Sequence, residues 1–377
     1  MKKNNKILYI SGDGVLNQKH NWNFFYTYFD GLNNKNQNRL HVSKNHFISK
    51  AIKSIVKECD ILNFSFDLRH PRFILKLEML EIPGSTMIRN YIVNIINYVI
   101  QQIIYMKIKK RSYDLVIFSD NLFFLNSFLL KKIKKTSSSK MILLSNISPK
   151  HLLPQSQKNC IPYYDKIFIS DTGHEIEWKD LGAQNVIRLP LSAGSPNTFQ
   201  KVISKSENSK IYDVTFVGRL DRLHYHRMNT LNFLISQGVD LNIWTWDESK
   251  GYLKEFPLVE SRIIGSAYGK EMVKVLAQSK IVLNIHILTQ PCGGNLRLFE
   301  IPSAKSFQIA DKCPSDWFID GNEIVLYKNN DDLLNKINYY LNNEQERINI
   351  TNNGYDRVLK EHRYEYRVKK LLKFVQD

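Results

Sequence analysis

Cysteine is scarce in this sequence, and the residues present are far apart. The four cysteines are Cys59, Cys160, Cys292 and Cys313, and no two of them form a Cys-x-x-Cys pair. This spacing argues against a zinc site and offers no disulfide framework. A reducing, cytoplasmic compartment is therefore expected.

The sequence also lacks a long uninterrupted apolar run. Its most apolar segment, residues 87–106, contains an arginine and several amides, which make it too polar to span a bilayer. Two interpretations remain open. The segment is either a core helix whose basic end, residues 107–111, complements the helix dipole, or an amphipathic helix that contacts an anionic membrane surface. The apolar run behind the basic N-terminus ends at Ile10, which is too short for a signal peptide.

Acidic residues are outnumbered: 53 lysines and arginines face 36 aspartates and glutamates, giving a net charge of +17. Such a charge favours anionic partners, namely nucleic acid, anionic lipid or nucleotide phosphates. No RNA-recognition or zinc-finger signature is present, so specific nucleic-acid binding is not expected. The apolar fraction of 43% and the length of 377 residues are those of a globular protein with two domains.

Short apolar runs alternate with helical patterns along the chain, which predicts an α/β fold with parallel sheets. The predicted strands of the first half are residues 6–10, 60–66, 114–119, 141–144, 166–170 and 185–189, and its predicted helices include residues 21–32 and 47–59. The predicted strands of the second half are residues 212–217, 241–246, 280–287, 306–310 and 323–327, with three helical stretches from Asp331 onward. A segment rich in Ser, Asn, Pro and Lys separates the halves. We therefore predict domains at residues 1–195 and 211–362, a linker at 196–210 and a C-terminal helix at 363–377 that packs back on the first domain.

A glycine pair followed by charged residues lies between two of these strands, in residues 289–311. The glycines Gly293 and Gly294 precede a predicted helix, Asn295–Ala304. Backbone N–H groups and the positive end of a helix dipole favour an anion at such an entrance. Arg297 adds guanidinium donors, and Glu300, one turn later, can accept hydrogen bonds from a ribose diol. A simple turn followed by a dipole-stabilised glutamate is an equally good interpretation of the pattern alone.

Four pieces of the second half resemble the C-terminal half of the CgeB-like glycosyltransferases, which belong to the GT-B superfamily. The pieces are Asn295–Glu300, Ile324–Tyr327, Gly354–Val358 and Glu361–Tyr364. Their order and spacing match across residues 211–372, and the likeness is weaker over the first 160 residues. The resemblance implies a GT-B fold, in which two Rossmann-like domains face each other across a cleft. It also implies transfer of a sugar from a nucleotide-diphosphate sugar.

The same resemblance implies which residues bind the donor. The donor-binding residues are Gly218, Arg219, Gly293, Gly294, Asn295, Arg297, Leu298 and Glu300, of which Arg219, Arg297 and Glu300 are also the implied catalytic residues. A surface turn is the alternative for the first two, although the nearby basic cluster of Arg222, His224, His226 and Arg227 weighs against it. His224 and His226 have no carboxylate neighbour in sequence at metal-ligand spacing.

The acceptor is expected at the carboxyl ends of strands in the first half, where ligands of parallel sheets bind. The acceptor-side residues implied there are Gly12, Asp13, Gly14 and Asn17 after the first strand, and Asp120 after the third. A tight turn with a polar rim is about as good an interpretation of the first group.

No Asp-x-Asp motif is present, so the implied mechanism is independent of metal, with no cofactor beyond the nucleotide-sugar co-substrate. Retaining enzymes of the glycogen-synthase kind carry two glutamates eight positions apart. If Glu300 is the second, Cys292 occupies the place of the first, which leaves the sugar contact unassigned. The acceptor is a carbohydrate, a lipid-linked molecule or a protein, and a peripheral position at the inner membrane face is the alternative to a free cytoplasmic one. A nucleotide-sugar epimerase of the same fold and a non-catalytic polyanion-binding protein are the competing functions.

Overall fold

The structure is a computed structural model, and it describes residues 6–11, 44–63, 85–119, 125–192, 196–203, 210–221, 224–245, 253–288 and 292–376. These residues form two compact units. The first unit comprises the described residues up to Leu189 together with those from Val368, and the second comprises those from Pro190 to Arg367.

The described part of the first unit contains a six-stranded sheet in the order β2-β1-β3-β4-β5-β6, and every pairing is parallel. Its strands are β1 (Lys6–Ser11), β2 (Glu58–Asn63), β3 (Leu115–Ser119), β4 (Lys140–Ser145), β5 (Lys166–Ile169) and β6 (Val186–Arg188). All five residues of β3 are buried. A strand buried on both faces is typical of a parallel sheet covered by helices, which confirms the α/β prediction.

The helices of the first unit follow its strands in the order expected of crossover connections. They are α1 (Lys44–Ile55), α2 (Ser85–Arg111), α3 (Ser127–Thr136), α4 (Pro149–Leu152), α5 (Gln155–Lys158) and α6 (Glu175–Asp180). The sequence of α3 illustrates why they form. The Asn126 side chain caps the helix by accepting a hydrogen bond of 3.0 Å from the Leu129 backbone N–H. Leu129, Leu130 and Ile133 are buried, and the lysines lie away from them.

The described part of the second unit contains another parallel six-stranded sheet, in the order β12-β11-β10-β7-β8-β9. Its strands are β7 (Tyr212–Val217), β8 (Leu241–Trp244), β9 (Ile263–Gly265), β10 (Ser279–Asn284), β11 (Phe307–Ala310) and β12 (Val325–Leu326). The chain extends the sheet from β7 through β8 to β9 on one side. It then returns to pair β10 with the other side of β7 and continues outward to β12, so the strand order reverses between β7 and β10.

The helices of the second unit lie between and after its strands. They are α7 (Pro196–Ile203), α8 (Tyr225–Ser236), α9 (Pro257–Ser261), α10 (Gly269–Ala277), α11 (Arg297–Ser303), α12 (Asn330–Asn342) and α13 (Glu344–Glu361), followed by α14 (Tyr364–Gln376), which runs from the second unit into the first. The three helical stretches predicted after Asp331 correspond to α12, α13 and α14.

Helix α7 lies within the segment that the sequence composition predicts to be a linker. Phe199 is fully buried and Val202 nearly so, and both pack in a core cluster of the second unit with Trp244, Val273 and Leu276. Two apolar side chains with partners elsewhere in the chain are therefore enough to fold residues whose composition is typical of a connection.

Several other predicted bounds shift by a few residues. The strand predicted at residues 60–66 is β2 at residues 58–63, and the strand predicted at 280–287 ends at Asn284. The helix predicted at residues 21–32 lies outside the described residues. None of the helices in the described ranges is long and apolar enough to cross a membrane.

Candidate functional site

The site lies where the second sheet reverses its strand order, at the carboxyl ends of β7 and β10. These two strands pair in parallel, with Leu283 opposite Phe216. The chain leaves β7 toward β8 and leaves β10 toward β11, so the two exit loops diverge. In doubly wound sheets, a crevice that opens between such diverging loops is the usual ligand-binding position. Most of the predicted donor-binding residues are on these two exits.

The exit of β7 carries Gly218 and Arg219. A Cβ atom at Gly218 would come within 2.8 Å of the Phe216 ring, so the glycine is required by packing against the strand. The Arg219 side chain is 43% exposed, and its Nε lies 3.2 Å from Asp221 Oδ2. The same aspartate accepts a 2.6 Å contact from His224 Nδ1. His224 thus has a carboxylate neighbour after all, because the turn folds back over three residues.

The exit of β10 is shaped by a chain of buried amides. The Asn284 side-chain nitrogen donates a hydrogen bond of 3.2 Å to Gln308 Oε1. The Asn284 side-chain oxygen accepts a hydrogen bond of 2.8 Å from Asn295 Nδ2. The Asn295 oxygen in turn accepts the backbone N–H of Leu298 at 3.1 Å. Asn295 therefore caps α11 and anchors its start to the sheet. This tertiary anchor explains why the helix begins at Arg297, two residues later than predicted.

Gly294 and Leu298 pack together beneath this loop. A Cβ atom at Gly294 would lie 2.2 Å from Leu298 Cδ1 and 2.8 Å from the Trp317 ring. Leu298 is fully buried, so its side chain belongs to the core. Gly293 is also buried. Of the residues predicted here to bind the donor, Arg297 and Glu300 have charged side chains.

Arg297 and Glu300 form an ion pair within the first turn of α11. Arg297 Nη1 lies 2.6 Å from Glu300 Oε2, with the two side chains 21% and 12% exposed. The carboxylate also acts on a neighbouring phenol: burial and the charge of Glu300 raise the pKa of Tyr364. The guanidinium fixes the position of the carboxylate, and the same Nη1 also contacts Met272 Sδ.

Arg227, in the first turn of α8, connects the two exits. Its Nε donates to the carbonyl of Ile285 at 2.7 Å, after β10, and its Nη1 donates to the carbonyl of Arg219 at 3.0 Å, after β7. The residue is 8% exposed. Burial lowers the pKa of the Arg227 guanidinium to about 10, and the nearby charge of Arg297 acts in the same direction. Arg227 therefore stays protonated at neutral pH, and its charge lies near that of Arg297.

A histidine–aspartate pair, His286 and Asp311, fixes the backbone that follows Ile285 after β10. Asp311, directly after β11, accepts the backbone N–H of His286 at 3.0 and 3.1 Å and lies 2.5 Å from its Nδ1. His226 Nε2 lies 2.5 Å from the carbonyl oxygen of His286. Burial by itself raises the pKa of Asp311, but the hydrogen bonds and charge of His286 outweigh it and hold that pKa below its usual value. Two consecutive residues of α8, His226 and Arg227, thus contact the carbonyls of two consecutive residues after β10, His286 and Ile285.

The charge of the site comes from its arginines. Burial lowers the pKa of His226, and burial with the charge of Arg227 lowers the pKa of His224, so both imidazoles are neutral at pH 7. In the described ranges, no group of three or more His, Cys, Asp or Glu residues is arranged to hold a metal ion.

Sequence reasoning missed His286 and Asp311 and gave Arg227 only as part of a basic cluster. Asp311 carried a usable signal, because it directly follows a predicted strand of a parallel sheet. The predicted acceptor-side residues Gly12, Asp13, Gly14, Asn17 and Asp120, together with Arg222, lie outside the described residues. Strand β1, which precedes Gly12, and strand β3, which precedes Asp120, are neighbours in the first sheet.

Solved structures with the same two-sheet arrangement are glycosyltransferases and related sugar-transferring enzymes. A glycosyltransferase from Rickettsia africae matches with a TM-score of 0.61 at 12% identity, covering 98% of each chain. HepE from Anabaena, in complex with UDP-glucose, matches with a TM-score of 0.60 at 12% identity, covering 98% of this chain and 99% of its own. An α,α-trehalose 6-phosphate synthase from Burkholderia multivorans matches with a TM-score of 0.60 at 8% identity, covering 99% of this chain and 97% of its own. These likenesses establish a GT-B fold.

A family comparison reaches the same class from the sequence of the second unit. Residues 217–373 match the family model described as glycosyl transferase-like. The match begins at the last residue of β7 and includes every element of the site described above. No curated protein matches the chain.

Proposed function

We propose that this protein is a glycosyltransferase of the CgeB-like type that transfers a sugar from a nucleotide-diphosphate sugar to an acceptor. The observation that carries the proposal is the proximity of Arg227 and Arg297 at the strand-order reversal, with Glu300 held 2.6 Å from Arg297 and the backbone of Arg219 bonded to Arg227. The glycosyl transferase-like match over residues 217–373 and the GT-B fold support the same class.

The chemistry of the leaving group fits the arginines of this site. When a nucleotide sugar loses its sugar, negative charge grows on the diphosphate while the sugar becomes oxocarbenium-like. Fixed cations around the departing phosphates stabilise that charge without reorganising during the reaction. In this proposal Arg219 and Arg297 contact phosphate oxygens, and Arg227 adds a buried positive charge. Glu300, oriented by Arg297, accepts hydrogen bonds from the ribose diol.

A uridine diphosphate sugar is the proposed donor, since HepE, which shares the fold, was solved with UDP-glucose. Independence of metal is part of the proposal and is supported by the sequence, which contains no Asp-x-Asp clamp. Retention of the anomeric configuration is supported by the correspondence of Glu300 to the second glutamate of retaining enzymes, although Cys292 replaces the first. A cytoplasmic location is supported by the wide spacing of the four cysteines in the sequence, which offers no disulfide framework.

The test is the affinity of the wild type and a Glu300→Gln variant for the donor. A thermal-shift panel of UDP-, GDP-, ADP-, CMP- and dTDP-sugars first identifies the nucleotide, because a ligand that binds the folded form raises its melting temperature. Calorimetric titration then compares the two proteins. Loss of hydrogen bonds to a charged acceptor predicts a donor Kd raised about tenfold to a hundredfold, with the melting temperature little changed because glutamine still bonds to Arg297.

A matched control is Glu323→Gln. Glu323 is 10% exposed and pairs with Arg357 at 3.7 Å, in the same unit but away from the β7 and β10 exits. Its replacement is expected to leave the donor Kd unchanged. Equal donor affinity in the wild type and Glu300→Gln would reject the role of Glu300, and a panel in which no nucleotide sugar binds would reject the proposed function.

A further inference from the structure

Helix α2 has two apolar faces, and only one of them is packed. Ile100, Ile104, Tyr105 and Ile108 are buried in the core of the first unit. A second set of large apolar side chains on the same helix is between 42% and 68% exposed. We call this set the outer face of α2, and it consists of Tyr91, Ile95, Tyr98, Val99, Ile103 and Met106.

The outer face is one continuous stripe. Its members are spaced by three, four or one residues, which places them on the same side of a helix with 3.6 residues per turn. From Tyr91 to Met106 the stripe extends about 22 Å at 1.5 Å per residue. Isolated exposed apolar residues need no explanation, but a stripe of six on one helix marks a binding surface.

The charged residues that α2 and its neighbour α3 contribute beside this stripe are all positive. Helices α2 and α3 together contain nine lysines and arginines and no aspartate or glutamate. Lys109 and Lys110 are exposed at the end of the outer face, whereas Lys107 and Arg111 turn toward Asp60 on the other side. Lys132 of α3 lies 3.9 Å above the Tyr105 ring, which places α3 beside α2. The exposed side of α3 adds Phe128, 69% exposed, with Lys131 and Lys135.

We propose that the outer face of α2, with the exposed side of α3, binds the surface of an anionic lipid bilayer. The helix would lie in the plane of the headgroups, with its apolar side chains inserted and its lysines against anionic lipid. Tyrosine suits this position because it has an apolar ring and a polar tip. A second copy of the chain is a poorer partner, since two such faces would bring their lysines together. The proposal does not depend on the enzymatic function, because it concerns a surface of the first unit.

The experiment is co-sedimentation of the full chain with vesicles. Phosphatidylcholine vesicles, with and without phosphatidylglycerol, are compared at low and high salt. We expect binding to the mixed vesicles only, weakened by salt. Lys109→Ser with Lys110→Ser is expected to lower the partition constant about thirtyfold, from the contribution of each basic residue near an anionic surface. Tyr91→Ser with Tyr98→Ser and Met106→Ser is expected to lower it by more than about tenfold.

Matched controls lie elsewhere on the first unit. Ile176→Ser removes an apolar side chain of α6 that is 72% exposed. Lys53→Ser with Lys57→Ser removes two exposed lysines, one within α1 and one just after it. Both controls should bind vesicles as the wild type does. Absence of wild-type binding, or equal binding to neutral and anionic vesicles, would overturn the proposal. A wild-type dimer that the tyrosine variant converts to a monomer would overturn it in favour of a second copy of the chain.

Discussion

Arg227 shows how a single buried side chain can serve structure and charge together. Its guanidinium has several donors in a planar fork, so it bonds to the carbonyls of Arg219 and Ile285 at once. In the described part of the chain its hydrogen-bond partners are carbonyls and not carboxylates. The charges of Asp311 and Asp221 favour the protonated form of this guanidinium, and an anionic ligand would add to that stabilisation. We therefore expect different substitutions of Arg227 to affect stability and donor affinity to different extents.

Substitution of Arg227 tests that separation. Arg227→Met leaves two carbonyls without their donor, and we expect a loss of about 2 to 4 kcal/mol in the free energy of unfolding, measured by urea denaturation. Arg227→Lys keeps the charge but cannot reach both carbonyls. It should lose similar stability while retaining more donor affinity than Arg227→Met.

The control for this prediction is Arg262→Met. Arg262 is 42% exposed and pairs with Asp240 at 3.0 Å on the surface, so the expected change is within about 0.5 kcal/mol. Equal donor affinity in the two Arg227 variants would mean that its charge plays no part in binding.

Helix α13 illustrates the element scale, because one glycine sets how closely it packs. A Cβ atom at Gly354 would lie 2.4 Å from the backbone carbonyl oxygen of Glu323 and 3.6 Å from Pro302 Cβ. Glycine therefore lets α13 approach the loop before β12 and the end of α11. This contact supports α11 from behind and so bears on the position of Arg297 and Glu300.

Gly354→Ala should consequently destabilise the protein. In an open helix this change would stabilise by about 1 kcal/mol, but here the added methyl group meets backbone. We expect a net loss of about 1 to 3 kcal/mol in urea denaturation. Asn352→Ala, at an exposed position two residues earlier, should be neutral or stabilising. A Gly354→Ala protein more stable than the wild type would show that the helix does not pack this closely.

At the scale of the whole molecule, the last helix completes the first unit. Residues from Val368 onward belong to that unit although they follow the second unit in sequence. Val368, Leu371, Leu372 and Val375 are at most 8% exposed. Lys140 Nζ also donates to the carbonyl of Val375 at 2.7 Å. The first unit is therefore complete only once these residues, which follow the second unit in sequence, have been made.

Removal of residues 368–377 should accordingly unfold or strongly destabilise the first unit. Burying four such side chains contributes about 6 kcal/mol or more, which is comparable to the stability of a whole domain. Scanning calorimetry should show loss or a large downward shift of the transition of the first unit, with the transition of the second retained. Removal of residue 377 alone should change neither. An unshifted first transition would contradict the assignment of this helix to the first unit.

Local pattern was enough to predict most of the architecture. Strands such as β3 and β10 are β-branched apolar runs of strand length, and their alternation with helices predicts parallel sheets. The resemblance of the second half to the CgeB-like glycosyltransferases also directed attention to Arg219, Arg297 and Glu300. Their roles in donor binding stay predictions.

Only the tertiary structure decided which distant residues meet. Arg227, His286 and Asp311 converge because the order of strands places the exits of β7, β10 and β11 side by side, and no local pattern encodes that order. The same holds for α7, whose burial depends on partners as far along the chain as Ala304, and for the start of α11, which Asn284 fixes through Asn295. The sequence set the periodicity of α2, but which of its apolar faces would be packed depended on the rest of the fold. Secondary structure follows from neighbours along the chain, whereas burial and charge pairing follow from neighbours in space.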